Sequence, residues 1–557
     1  MKKIFTLLSV FLMATGINAR EIDYQFNWGT SIEGNVSQAA NVIGVKKASD
    51  GNYFVSLVWG GTTAAGKTIS WGGQNLQDAS GADIEGADYS SGNSYTPNLL
   101  FAKTDKTTGN PIWKVYTNFG YVNNSNCSFT STADGGAILL VSVRQSEGAD
   151  YRLANIVGSD GTVTYLQHTD ADKWSYRSVL IKIDAVGKVV WTRTINALDE
   201  TKEGKGASTP FYTYDIVTGT DNRIYVSGRM CTTVYFPGKN GRLVAKDAIY
   251  NDGWTGDSQT SCGNGFIAEF SEDGYINNVM TFAGEDYKYT QIQQMVIDGT
   301  TMYAAGVAKK SSIGIMPTLS VIDLKDNSLK VYKEYAVAAN SGGKQNFKVY
   351  SLSLADGSLY MTGNLAGSMT DNNITLTAVG TAATLDGFIA RLDTEGNLLA
   401  AKNYGTLNTG IMGTAEVNGG IVALAYQMTG AGAVALAYDK ALSSELSRTT
   451  LMTSGTTATA SAPLFDGENI VVLARGAKAA SAFYGTTEVK PALKQSFGVL
   501  LGSWKVTGNV SSGINAVSAD FSNGSETYSI NGIRMTDRRN TGNGILISNG
   551  KKTIVRK

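Results

Sequence analysis

Two short signatures alternate along this chain, and their alternation limits its fold more than any other feature. The first is an apolar run, an acidic turn and a second run. It reads "LLFAKTDKTTGNPIWKVY" around Phe101, "VLIKIDAVGKVVWTRTI" around Ile181, "GFIAEFSEDGYINNVMTF" around Phe266, "LSVIDLKDNSLKVYKEY" around Val321, "GFIARLDTEGNLLAAKNYG" around Phe388 and "AVALAYDKALSSELSRT" around Val434. A last copy, "FGVLLGSW" from Phe497, has no following partner. The second signature is a DG-like turn leading into a β-branched or aromatic run: "SDGNYFVSLVWGG" at Asp50, "ADGGAILLVSV" at Asp134, "TDNRIYVSGRM" at Asp221, "IDGTTMYAAGV" at Asp298, "ADGSLYMTGNL" at Asp356, "VNGGIVALAYQ" at Asn418 and "FDGENIVVLARG" at Asp466. Asp caps such turns and Gly supplies positive φ, so each signature is a tight turn between antiparallel strands.

The alternation gives seven units of four strand-sized runs. Repeats of this length, four short strands each, make a β-propeller, because one such sheet cannot bury both faces until neighbours stack on it in a ring. The composition agrees: 64 Gly against 7 Pro, and few stretches of helical period. A string of β-sandwich modules would need linkers, and none that are Pro-rich or low in complexity separate the units. We therefore expect an all-β chain: a seven-bladed β-propeller of four-stranded antiparallel blades, then a small C-terminal β module. The units run from "FNWGTS" around Trp28 to Trp504, giving a propeller over 20–504, a polar linker over 505–526 and the module over 527–557. Trp28, Trp113 and Trp191 each follow an acidic turn and read as packing between blades.

The first residues, "MKKIFTLLSVFLMATGINA", have a basic start, an apolar run from Ile4 to Met13 and a small residue, Ala19, before "REID". They read as a secretory signal peptide over 1–19. The apolar run is too short to span a bilayer, and no membrane span is expected in the mature chain. Lys plus Arg and Asp plus Glu both number 47, so no net field favours nucleic acid. The single histidine, His168, disfavours zinc and His-based catalysis. Of three cysteines, Cys231 and Cys262 flank one long insertion and are the candidate disulfide; three buried thiols are the alternative.

Laid out in this way, the chain resembles the bacterial extracellular β-propeller repeat proteins, in which "FIA-x-x-D-x-x-G-x-x-x-W" alternates with "DG-x-x-Y-V-x-G". Phe388 to Gly396 and Asp221 to Gly228 carry that resemblance, which implies architecture alone. The tail, "TYSINGIRMTDRRNTGNGILISNGKKTIVRK", resembles the C-terminal sorting modules of exported Bacteroidetes proteins. Tyr528, Asn531, Gly532, Gly544, Ile545, Asn549, Gly550, Lys551 and Lys552 match that pattern. The resemblance implies a small β fold read by the type IX secretion machinery, with an extracellular or outer-membrane-surface address. Release, anchoring and periplasmic retention all stay open.

Function is sought in three insertions that follow the strand after the DG turn, because loops on rigid scaffolds carry binding. They hold Trp71, Tyr89 and Tyr95; Tyr165, Trp174 and Tyr176; and Tyr250 and Trp254. Trp71, Trp174, Tyr176 and Trp254, set among Asp, Asn and Ser, would suit a glycan or protein partner on one face; pinning the loops to the scaffold is the bland alternative. Asp78, Asp83, Glu85 and Asp88 crowd one insertion and Asp170 and Asp172 another. Such oxygens suit calcium, but no EF-hand order is present and no cofactor or metal is expected. No catalytic motif is found. The expectation is a non-catalytic binding protein, with a lyase or glycosidase using carboxylates at the central opening, or a structural envelope protein, as alternatives.

Overall fold

The computed structural model describes residues 22–508 apart from 35–40, 61–67, 87–97, 124–125, 145–151, 168–176, 198–210, 250–262, 284–286, 311–312, 344, 380–384, 406–408, 428–431, 453–459, 478–481, 485–486 and 490–496, and in the tail the strands between 527 and 555. Residues Ile22–Gly508 form one compact unit. Its strand pairings trace seven antiparallel four-stranded meanders. Sheet 1 is Asn41–Lys47, Tyr53–Trp59, Asn98–Thr104 and Pro111–Val122. Sheet 2 is Ser128–Ser131, Ala137–Arg144, Arg177–Ile183 and Val189–Ala197. Sheet 3 is Phe211–Thr218, Ile224–Met230, Asn264–Phe270 and Ile276–Phe282. Sheet 4 is Tyr287–Asp298, Thr301–Lys310, Gly314–Asp323 and Ser328–Glu334. Sheet 5 is Asn346–Ala355, Ser358–Ala366, Asp386–Leu392 and Leu398–Tyr404. Sheet 6 is Thr409–Val417, Gly420–Gln427, Gly432–Tyr438 and Glu445–Met452.

Sheet 7 explains the copy that had no partner. Leu464–Asp466, Asn469–Ala477 and Phe497–Thr507 are completed by the N-terminal strand Asp23–Gly34, in register from Asp23 opposite Thr507 to Ile32 opposite Val499. The expected phase of the repeat is thereby corrected. The Trp-bearing strand is the fourth and outermost of a sheet, not its first, and sheet 7 borrows its own from the start of the chain. The last strand also runs to Thr507, beyond the expected boundary at 504.

First strands of successive sheets lie against one another from sheet 1 to sheet 6, and the first strand of sheet 7 lies against that of sheet 1. Between sheets 6 and 7, Pro463 sits on Gly413, where an added Cβ would meet Pro463 Cδ at 3.0 Å. Sheets 7 and 1 are tied by Asp466, which accepts from Lys47 Nζ at 2.6 Å and Tyr53 Oη at 3.1 Å. This propeller-like stacking leaves both faces of the middle strands dry. Tyr53–Trp59, Asn98–Thr104, Ile224–Met230 and Ser358–Ala366 are buried along their whole length.

The signatures have separate mechanical roles. The acidic-turn Asp caps its own turn: Asp105 accepts from the N–H of Thr107 and Thr108, Asp184 from Val186 and Lys188, and Asp393 from Glu395 and Asn397. The aromatic of the fourth strand docks on the next sheet's acidic turn. Trp28 donates to Lys106 O at 2.8 Å and Trp113 to Ala185 O at 2.9 Å. The glycines there leave room for the rings. A Cβ on Gly109 would lie 2.3 Å from Trp28, on Gly187 2.9 Å from Trp113, and on Gly274 2.7 Å from Trp191. In sheet 4 the partner is Tyr335, whose hydroxyl donates to Gly396 O at 2.8 Å.

The insertions are not free loops where they are described. In each of five sheets the connection from second to third strand holds a hairpin; four of these pair onto the fourth strand of the preceding meander, and that of sheet 5 pairs with a separate short strand. Ile69–Trp71 and Gln74–Asn75 pair onto Asp23–Gly34 of sheet 7, and Arg152–Val157 and Val163–Gln167 onto Pro111–Val122 of sheet 1. Val234–Pro237 and Leu243–Lys246 pair onto Val189–Ala197 of sheet 2. Ser368–Asp371 and Ile374–Thr377 join Ala336–Ala338, just past sheet 4, and Ala482–Tyr484 and Thr487–Val489 join Glu445–Met452 of sheet 6. Each strap covers an edge that would otherwise present open N–H and C=O groups.

The tail is a separate antiparallel sheet ordered Arg534–Met535, Thr527–Ser529, Gly544–Ser548 and Lys551–Val555. Tyr528 pairs with Ile547, Gly544 with Val555, Ile545 with Ile554, and Lys551 and Lys552 with Ser548 and Ile547.

Candidate functional site

Inner strands supply a repeated irregularity. In five sheets the first strand carries one extra residue against its neighbour, between Val42 and Gly44, Thr213 and Asp215, Ile292 and Gln294, Val349 and Ser351, and Ile411 and Gly413. A bulge of this kind turns one side chain out of the alternation. The displaced residues are Ile43, Tyr214, Gln293, Tyr350 and Met412, all half-buried except the buried Gln293. Two residues earlier stand Tyr212, Gln291 and Lys348.

On sheets 3, 4 and 5 these positions bring tyrosine rings and amide groups together through a chain of contacts. The Tyr212 and Tyr214 rings are nearly parallel, 5° apart in plane with centroids 6.4 Å apart. The buried Arg229 guanidinium lies 4.7 Å from the Tyr212 ring and 5.4 Å from the Tyr289 ring, with Lys309 5.8 Å over Tyr289. Gln293 donates to Gln291 Oε1 at 3.1 Å and accepts from Val349 N–H at 2.9 Å, joining sheet 4 to sheet 5. Asn364 donates to Tyr350 Oη at 2.9 Å, and Lys348 Nζ sits 5.0 Å from the Tyr350 ring. Burial raises the Tyr214 phenol above its ordinary pKa, against the pull of Arg229, and burial of its ammonium end lowers that of Lys348.

Deeper on sheet 3, one carboxylate joins four sheets. Asp215 Oδ1 accepts from its neighbour Ile216 N–H at 2.8 Å and from Ser128 Oγ of sheet 2 at 3.2 Å. Oδ2 accepts from Met295 N–H of sheet 4 at 3.0 Å, and Lys46 Nζ of sheet 1 stands 3.9 Å from Oδ1. Burial pushes its pKa up, and Lys46 and the donors oppose that push. Among the described residues its contacts are a lysine, a hydroxyl and backbone N–H groups, the surroundings of a staple, without a second carboxylate to make an acid–base pair.

The structure moves Trp71 out of the ligand-binding set. It is 4 % exposed, packs with Trp28 and Trp59, and donates to Gly109 O at 3.1 Å, so its indole holds the first strap down. Tyr165, at 51 % exposure, is the insertion aromatic that does face solvent. Trp174, Tyr176 and Trp254 lie outside the described residues, as do Tyr89, Tyr95, Tyr250, His168, Asp88, Asp170, Asp172, Cys262, Asn531, Gly532, Asn549 and Gly550. Cys231 is buried beside Gly263, and its pairing with Cys262 lies beyond the described residues. Asp78 caps a turn through Ser80 and Ala82 and Asp83 accepts from Asn75; no metal-holding group occurs among the described residues. The inner-strand surface was missed in sequence. Its signal, a single extra residue ahead of the DG turn in five of the sheets, is too small to stand out among unequal repeats.

No family model matches the chain, and no curated protein matches it. Among solved structures it is similar to quinohemoprotein alcohol dehydrogenase ADHIIG from Pseudomonas putida HK5, at 12% identity over 87% of this chain and 76% of that one, with TM-score 0.39. It is similar also to polysaccharide lyase Uly1, at 8% identity over 84% and 90% and TM-score 0.39. A Synechocystis apocarotenoid oxygenase matches at 9% identity over 77% and 92%, with TM-score 0.32. Likenesses this slight carry no argument about chemistry.

Proposed function

We propose that the seven meanders are the blades of one closed ring, and that this ring binds a glycan without acting on it. The ligand seat in this reading is the inner-strand surface of sheets 3 to 5, in place of the insertions. The observation that carries it is the pair of nearly parallel, half-buried tyrosines, Tyr212 and Tyr214, followed on the next sheets by Gln291, Gln293 and Asn364. Flat apolar rings beside fixed amide groups suit a sugar, whose faces are apolar and whose edge is hydroxyl. The leader-like start and the tail support an exported chain addressed by the type IX machinery. The four-stranded tail sheet fits that reading.

Immobilised polysaccharides tested with the purified chain check the proposal. Binding that Tyr214→Ala weakens about tenfold, without release of reducing or unsaturated ends, supports it. Product release would transfer the chain to the enzymes. Retention of a protein partner in place of any polysaccharide would transfer it to the protein-binding modules.

A further inference from the structure

The fourth strands of the meanders are outer borders, and the chain covers most of them in one way. On sheets 1, 2, 6 and 7 a strap from the next sheet pairs with the fourth strand. Just past sheet 4, Ala336–Ala338 takes the strap Ser368–Asp371. The border of sheet 5 meets that same strap: Asp371 accepts from Leu398 N–H at 2.8 Å, and Asn403 donates to Thr377 O at 2.9 Å. Among the described residues sheet 3 has no such cover. Sheet 4, which would supply its strap, passes from Lys310 to Gly314 without a hairpin. Along Ile276–Thr281 no backbone group is bonded outside the pairing with Asn264–Phe270; beyond them, the Phe282 carbonyl accepts from Thr290 Oγ1 at 2.6 Å.

A bare edge strand is a template for another strand, and proteins blunt such edges with charged side chains or proline. Ser328–Glu334 of sheet 4 carries Lys330, Lys333 and Glu334, and Leu398–Tyr404 of sheet 5 carries Lys402. Ile276–Phe282 has neither a charge nor a proline, and its Asn277 and Asn278 are exposed. We propose that this border docks one strand of a partner protein, added antiparallel to Ile276–Phe282 as the straps are added to their own strands. The charge beside the strand selects the occupant. Glu272 and Asp273, in the turn that opens it, are exposed, and among the described residues neither has a cation within 4.0 Å. The cation that reaches this turn, Arg193, lies over the Tyr275 ring at 4.2 Å and donates to Thr192 O at 2.8 Å. In an antiparallel pair the partner's last residues face that turn, so the strand that fits is uncharged along its length and ends in lysine or arginine. A second copy of this chain does not fit, because its own strand is followed by Ala283, Gly284, Glu285 and Asp286, which would set carboxylates against carboxylates. The site is on the outermost strand of sheet 3 and the glycan seat on its innermost, so neither reading depends on the other.

The test mixes the full chain with three synthetic strands of alternating threonine and valine. One ends in two lysines, one ends in two glutamates, and the third is the lysine form with alternate backbone nitrogens methylated. Hydrogen exchange read by mass spectrometry locates binding, and fluorescence anisotropy measures it. Expected with the lysine strand are slowed exchange over Ile276–Phe282 and an affinity about tenfold above that of the glutamate strand, with no binding by the methylated form. Glu272→Lys combined with Asp273→Lys should reverse the preference. Both side chains are exposed, so the unfolding midpoint should stay at the wild-type value, and a changed preference is then changed recognition. Equal affinity for the lysine and glutamate strands, slowed exchange elsewhere in place of Ile276–Phe282, or binding by none of the three overturns the proposal. Slowing of that segment by raised protein concentration alone overturns it also, since the occupant would then be a second copy.

Discussion

Gly109→Ala tests the docking of one sheet on the next, through the strand that completes sheet 7. Gly109 has φ of 71° in the acidic turn of sheet 1, and an added Cβ would lie 2.3 Å from Trp28 Cζ3 and 2.6 Å from Cε3. Two costs are expected. A side chain in the left-handed region costs about 1 kcal/mol, and forcing a methyl into a packed ring costs about 1–3 kcal/mol. The sum is about 2–4 kcal/mol. Trp28→Ala alone removes an indole that is 8 % exposed and its hydrogen bond to Lys106 O, at about 3–5 kcal/mol. If both act independently, the double variant loses about 5–9 kcal/mol. If the methyl and the ring compete for one space, the overpacking cost vanishes with the ring and the loss is about 4–6 kcal/mol. Urea titration of the four proteins, followed by circular dichroism, measures the coupling. A double variant additive within about 0.5 kcal/mol would refute the docking.

Other outcomes follow from single groups. Burial works against the charge of Asp134, but hydrogen bonds from Lys182, Thr132 and Gly136 outweigh it and hold its pKa below the ordinary value. The stability it contributes is present above the unfolded value near pH ~3.9 and is lost as pH falls through the lower folded one. Asp134→Asn should therefore flatten the acid limb of the unfolding midpoint measured from pH 5 to 2; an unchanged limb refutes the assignment. Asp215, pushed the other way, holds its proton in the folded chain where the unfolded chain has released it, so its own contribution falls as pH rises through that window. Asp215→Ala, which strands Met295 N–H and Ser128, should lower stability by about 3–5 kcal/mol at pH 7, and a loss under about 1 kcal/mol would remove it from the staple role. Cys127, half-buried and donating to Asn123 O at 3.0 Å, has its thiol pushed up to about 12 by burial. At pH 8 only about one thiol in ten thousand would be ionised, so labelling by a disulfide reagent should wait on unfolding; rapid labelling of the native chain would contradict its placement.

Much of the scaffold was legible because turns are local. The DG and acidic turns need Gly and Asp at fixed offsets, and those residues stand in the chain whatever surrounds them. Phase was not legible, since a cyclic repeat has no first strand until closure supplies one. The pieces of the answer were visible nonetheless: Phe497–Trp504 without a partner at one end and the Trp28 strand at the other. Straps were misread for a related reason. An insertion's length says that it leaves the sheet, while its return as a hairpin on a different sheet depends on contacts 30 or more residues away, such as Ile32 with Trp71. Trp71 looked exposed because its sequence neighbours are polar, whereas its burial comes from Trp28 and Trp59. The basic and aromatic inner-strand cluster was hidden because Arg229, Tyr289 and Lys348 belong to three separate repeats.

Asp23–Gly34 is made before every other strand of its unit, yet its place beside Phe497–Thr507 exists only when nearly the whole unit has been made. Until then the opening strand has one flank bare, the other being open to Ile69–Trp71 alone. A chain cut before Phe497 leaves bare both Asn469–Ala477 and Asp23–Gly34, so shortened products should be sticky and easily told from finished ones.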